Sequence, residues 1–202
     1  RSYDLSSTRT LRQLADDASV CWANACADAI HSVDSGALVS ANVFTYQAVG
    51  RKNLLQIRPG QGADWDHEQR IPVSLKALAG SRLDYLDLHV YLHRVGESSV
   101  AAKMEETLSS VDFDGLVEAA AAAGKPLIMG EFAAFKEKNR SPVQQADDVR
   151  QQIHLGWEKG FRGFMYWTYD TDEQPKIWNL KMDNGRMLST MRECGKIKKD
   201  DG

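Results

Sequence analysis

Between Thr8 and Tyr169 the chain switches repeatedly between segments of helical period and short apolar runs, a pattern that leaves few folds open. Helices that carry the chain from one strand to a parallel neighbour are the connections such alternation makes, so it points to an α/β fold with a parallel sheet. Ser7 or Thr8 can cap a first helix running to about Val33. Its apolar positions Leu11, Leu14, Ala18, Cys21, Trp22, Ala25, Ala29 and Ile30 recur at helical spacing, which predicts that they share one buried face. Asp34-Ser35-Gly36 stops the helix, and 37–46 reads as a strand.

A polar loop with Gly50, Pro59, Gly60 and Gly62 follows, too long for a mere connector. A short helix over 74–79 leads into a second strand, 83–92. Asp112 is expected to cap an alanine-rich helix ending at Gly124, before a third strand over 126–133. Ser141-Pro142 opens the next helix, with serine as cap and proline at the first position; it ends at Gly160. The fourth strand is 163–169, and Asp183-Asn184-Gly185 then predicts a tight hairpin turn.

No linker rich in Ser, Gly or Pro interrupts this order, so residues 1–202 read as a single unit. Four parallel strands with helices on one side would leave large apolar surfaces bare. A complete eight-fold barrel takes about 250 residues. The expected fold is therefore about the last four strands of a (β/α)8 TIM barrel, the other half standing before Arg1.

The formal charge of −3 gives no reason to expect nucleic acid or an anionic membrane surface as partner. No apolar run approaches the ~18–20 residues of a membrane span. The first residue is Arg1, so a missing signal segment says nothing of compartment. Lys196-Ile197-Lys198-Lys199 is expected in a solvated, frayed tail. Cys21 and Cys26 fall on different sides of the first helix and no C-x-x-C spacing occurs, which favours buried free thiols. A disulfide from Cys194 to either one stays open.

Barrels of this kind place their chemistry at the C-terminal strand ends. Here those ends read Val43-Phe44-Thr45-Tyr46, Asp87-Leu88-His89-Val90-Tyr91, Met129-Gly130-Glu131-Phe132 and Tyr166-Trp167-Thr168-Tyr169-Asp170. Aromatic, imidazole and carboxylate groups would converge on one rim, which packing alone does not require.

Lys125-Pro126-Leu127-Ile128-Met129-Gly130-Glu131-Phe132 resembles the seventh-strand motif of glycoside hydrolase family 5, the cellulase-like family, whose glutamate is the nucleophile. Asp87 to Tyr91 is similar to its sixth strand, Gly163-Phe164-Met165-Tyr166-Trp167 to its eighth, and Asp34 to Val39 to the turn into its fifth. The resemblance runs from Ala15 to about Asn179 with the motifs in order. It implies a retaining glycosidase that needs no metal and no cofactor, with Glu131 as nucleophile and His89 and Tyr91 beside it. Trp167 would form a sugar platform, extended by Tyr46, Trp65 and Tyr169. A buried structural role for His89, core packing for Trp167 and simple loop cover for Trp65 are the plainer alternatives; Trp22 and Trp157 are read as core.

Retention needs a second carboxyl group about 5–5.5 Å from the nucleophile. In the resembled family this acid/base follows asparagine at the end of the fourth strand, and no Asn-Glu pair occurs in the chain. The chain is read as a fragment of a longer enzyme, inactive alone and with open barrel edges free to self-associate. The alternatives are a non-catalytic carbohydrate-binding or interaction module, or substitution by a loop residue such as Glu68 or Glu97.

Overall fold

The computed structural model describes residues 2–45, 74–92, 97–171 and 174–197. In chain order the elements are α1 (Thr8–Val33), β1 (Asn42–Phe44), α2 (Leu75–Leu78), β2 (Leu86–His89), α3 (Val100–Ser109), α4 (Phe113–Ala122), β3 (Leu127–Phe132), α5 (Pro142–Lys159), β4 (Gly163–Tyr166) and α6 (Met182–Ile197). The four strands lie in one sheet in the order β1-β2-β3-β4, the alternation that the sequence predicts. Each strand is shorter than its apolar run, because the flanking residues leave the ladder to become rim and loop.

The chain divides into two compact units, Arg1–Leu88 with Ser109–Leu127 and His89–Leu108 with Ile128–Gly202. In the first, the Ser7 hydroxyl accepts a hydrogen bond from the Thr10 amide at the start of α1. The Asp84 carboxylate accepts one from the Val39 amide at 2.7 Å and lies 3.1 Å from His31 Nε2, which ties the end of α1 to the chain entering β1 and β2. Leu86 and Leu88 are almost wholly buried, and Leu75, Leu78, Phe113 and Leu116 are buried in the same unit.

Three expectations fail in this unit. The buried face of α1 carries Ala23 and Ala27, both fully buried, whereas Trp22 is 61% and Ile30 43% exposed. Small side chains let a helix approach its support closely, so α1 packs on its alanines and turns the bulky stripe outward. Cys21 shares that exposed side; it is free like Cys26 and Cys194, of which only Cys194 is buried. Asp112 does precede α4, but at φ 51° its side chain makes no cap bond and instead lies 3.3 Å from Lys76 Nζ.

The second unit holds the C-terminal ends of β2 and β3, all of β4, and α3, α5 and α6. Ser141 and Gln144 form a reciprocal capping box at the start of α5, with Pro142 following and Gly160 closing the helix at φ 108°. The helix α3 was not expected; the Ala102 amide donates to the Ser99 hydroxyl at its start, and Val100, Met104, Thr107 and Leu108 are buried at helical spacing. The hairpin at Asp183-Asn184-Gly185 is also corrected. All three residues adopt the left-handed conformation that Asp, Asn and Gly tolerate, but they lead into the body of α6 rather than back along a strand. Lys196 thus belongs to a helix, not a frayed tail. No helix among the described residues is long and apolar enough to cross a membrane.

Gly156 in α5 marks the closest packing in this unit. A Cβ there would sit 2.6 Å from Phe164 Cε1 and 3.3 Å from Met129 Cε. Gly156→Ala gains up to about 1 kcal/mol of helix propensity, but overpacking typically costs ~1–3 kcal/mol. The clash is with a ring already held by Phe132, Trp157 and Phe161, so the expected net effect is a lower urea midpoint at unchanged slope. A stabilised variant would show that Phe164 yields freely.

Candidate active site

The β3–β4 ladder is irregular where the chemistry lies. Met129 pairs with Phe164 and Phe132 with Tyr166, so three steps along β3 match two along β4. One extra residue is therefore accommodated at Gly130-Glu131, and such a bulge re-aims a side chain out of the strand's alternation.

Both Glu131 neighbours come from the end of β2. The Tyr91 hydroxyl donates to Glu131 Oε2 at 2.6 Å. His89 Nδ1 lies 3.0 Å from the same oxygen, an ion pair when the imidazole is protonated. The His89 side chain is 3% exposed and that of Glu131 19%, so the carboxylate keeps a path to solvent while its partner is sealed in. The strands are joined here by the Val90 amide donating to the Glu131 carbonyl at 2.8 Å. On the other side, the buried Gln152 amide donates to the Val90 carbonyl at 3.2 Å. His89 ends β2 and Tyr91 lies two residues beyond it in the chain, and both side chains reach Glu131.

Burial, and then the hydrogen bond to and negative charge of Glu131, push the Tyr91 hydroxyl above its ordinary range. It therefore remains a proton donor to Glu131 through the neutral and moderately alkaline range. Both contacts fall on Oε2, and among the described residues no hydrogen bond is made to Oε1. Anchoring one carboxylate oxygen fixes the direction of the other.

Trp167, just past β4, is half-buried; its amide donates to the Phe132 carbonyl and its indole Nε1 to Gln174 Oε1 at 2.8 Å. Tyr169 is 54% exposed, with Lys181 Nζ 4.7 Å from its ring centre and Asp170 holding that ammonium at 3.1 Å. Tyr46 and Trp65 lie outside the described residues, as does Glu68. Trp157 is half-buried against Phe164, ring centres 5.0 Å apart, consistent with packing. Among the described residues no group of His, Cys, Asp and Glu could hold a metal ion.

One residue the sequence did not single out is Tyr166. Its hydroxyl accepts from the Ala134 amide at 3.1 Å and donates to the Trp178 carbonyl at 2.6 Å. A tyrosine inside an apolar strand is the signal, because a buried phenol needs partners.

No family model and no curated protein matches the sequence. The endo-β-1,4-mannanase from Thermotoga petrophila matches at TM-score 0.52 and 16% identity, over 98% of this chain and 42% of that one. The endo-1,4-β-mannanase from Rhizomucor miehei matches at 0.50 and 15%, over 90% of this chain and 47% of its own. The chain has a glycoside hydrolase family 5-like fold. A GH5-4 broad specificity endoglucanase from an uncultured bacterium agrees, at TM-score 0.50, 13% identity and coverage of 93% and 49%. The family 5-like fold thus spans less than half the length of each of these structures.

Proposed function

We propose that this chain is about the last four strands of a (β/α)8 retaining glycosidase that cleaves β-glycosidic bonds through Glu131. The observation that carries this reading is the carboxylate on the β3 bulge, anchored through Oε2 by Tyr91 and His89. A nucleophile in this chemistry must be ionised and aimed, and the Tyr91 hydroxyl donating to one oxygen serves both ends. Oε1 is then the attacking atom: it forms the glycosyl-enzyme bond at the anomeric carbon as the leaving oxygen departs with a proton. The donor of that proton is assigned to the rest of the barrel. Structural neighbours that are an endo-β-1,4-mannanase and an endoglucanase support a β-linked polysaccharide or glycoside as substrate.

The same reading makes residues 1–202 one structural unit. It also accounts for exposure at both ends of the sheet. Phe44 on β1 is 39% exposed and Met165 on β4 45%, whereas all of β2 is buried. In a closed barrel such edges would meet the other four strands.

The test is a mechanism-based fluoro-sugar on the complete barrel, followed by peptide mapping. Covalent label on Glu131 is expected. Label on another carboxylate would overturn the assignment, and sugar binding with no label at all would favour a carbohydrate-binding module.

Trp167 is assigned the sugar platform, with Tyr169 beyond it. Trp167→Ala is expected to lower kcat/KM about 10–100-fold by removing a flat apolar contact. Trp157→Ala should instead cost a few kcal/mol of stability with near-normal kinetics. Equal losses of melting temperature with unchanged kinetics for both would remove the platform role.

A further inference from the structure

We propose that Phe135 is a positioning residue for the Glu131 carboxylate, acting through the ring of Tyr91 and held in place by the Tyr166 hydroxyl. This deepens the reading of Glu131 as nucleophile and rests on it. The starting point is a mechanical problem. Tyr91 reaches Glu131 with its hydroxyl, at the far end of a rigid ring, from a position two residues beyond the end of β2. The Glu131 carbonyl and the Gln152 side chain on α5 hold Val90 by its amide and its carbonyl, which fixes the backbone beside Tyr91 but not the Tyr91 ring.

Phe135 packs on it edge-on, with ring centres 6.0 Å apart at 60°. Phe135 lies beyond the end of β3 as well, so the sheet does not hold it either. A separate ribbon does. Phe135 forms an antiparallel bridge with Ile177, the Trp178 amide donates to the Ala134 carbonyl at 2.9 Å, and the Lys136 amide donates to the Lys176 carbonyl at 2.7 Å.

Tyr166 closes this ribbon from β4. Its hydroxyl bonds both strands of the ribbon at once, accepting from Ala134 and donating to Trp178. The Phe132 ring, 5.5 Å away at 80°, holds the Tyr166 ring in turn. Burial pushes the Tyr166 hydroxyl above its ordinary range, which keeps it a donor. Support therefore runs from Tyr166 to the ribbon, to Phe135, to Tyr91 and to Glu131 Oε2, entirely within the second compact unit.

The experiment uses the complete barrel with tyrosines labelled at Cζ, reading the Tyr91 hydroxyl proton by NMR and assigning it by its loss in Tyr91→Phe. Tyr166→Phe removes only a remote hydroxyl. It is expected to shift the Tyr91 hydroxyl proton upfield and to reduce its exchange protection by about tenfold or more, since a hydrogen bond to a charged group is worth at least that factor. Phe135→Leu should do the same, and Phe135→Tyr, which retains the ring, should restore the wild-type signal. A purely structural role predicts lower melting temperatures with the Tyr91 resonance unmoved, and that result would overturn the proposal. If Phe135→Leu does not fold, Tyr166→Phe and Phe135→Tyr still decide it. The readout involves no sugar and no turnover, so failure of the hydrolase reading in the fluoro-sugar experiment would not be confused with failure here.

Discussion

Glu131→Gln in the complete barrel is expected to lower turnover on the order of 10⁴–10⁶-fold, the scale seen when a member of a covalent catalytic unit is removed. The change keeps the volume of the side chain and leaves an amide oxygen able to accept from the Tyr91 hydroxyl, now at 2.6 Å from Oε2. Stability should therefore change little. What is lost is the negative charge that stabilises an oxocarbenium-like transition state and the electron pair that closes on the anomeric carbon. A simple surface carboxylate would behave differently, since surface substitutions usually stay within about 0.5 kcal/mol and leave kinetics alone. Steady-state rates on an aryl glycoside, with a thermal melt of the same preparation, separate the two. Activity within tenfold of wild type would refute Glu131 as nucleophile.

The 202-residue chain alone is expected to show no enzymatic turnover of glycosides, and to associate. A departing alkoxide leaves slowly unless a proton reaches the glycosidic oxygen, and general acid catalysis supplies about 10²–10⁴-fold. The chain has no Asn-Glu pair to provide it. Exposed edges invite strand pairing with another copy, and here the two ends of the sheet carry Phe44 and Met165 partly bare. Two copies could bring two Glu131 carboxylates to a rim without bringing an acid/base. Assay against aryl glycosides beside light scattering checks both parts. A monodisperse monomer with turnover that depends on Glu131 would contradict the half-barrel reading and direct attention to Glu97 or Glu68 as acid.

The strand order and the pairing of Glu131 with His89 and Tyr91 were legible because strand ends carry their chemistry in short contiguous motifs. Both partners stand two residues apart in Asp87 to Tyr91, and both side chains reach Glu131. Other features were hidden by competition between equal local signals. In α1, apolar residues occur on two faces, and the choice fell to Ala23 and Ala27 because close approach, not bulk, decided which side faced inward. Asp183-Asn184-Gly185 declared a left-handed backbone correctly, but three such residues can begin a helix as well as turn a hairpin. The helix α3 had readable spacing at Val100, Met104 and Leu108 and was simply missed. Phe135 had no signal at all, since its role depends on a bridge to Ile177, 42 residues away.

The interleaving of the two compact units sets a timetable for synthesis. The first unit needs Ser109–Leu127, so the ribosome has already released His89–Leu108, a piece of the second, before the first is whole. At about 5–20 residues per second, the end of β2 waits several seconds for β3. During that interval His89 and Tyr91 face no carboxylate, and the apolar side of the nascent strand has only a chaperone or water for company. A chain organised in this order makes its charged centre before α5, β4 and the Ile177 ribbon that hold it have been synthesised.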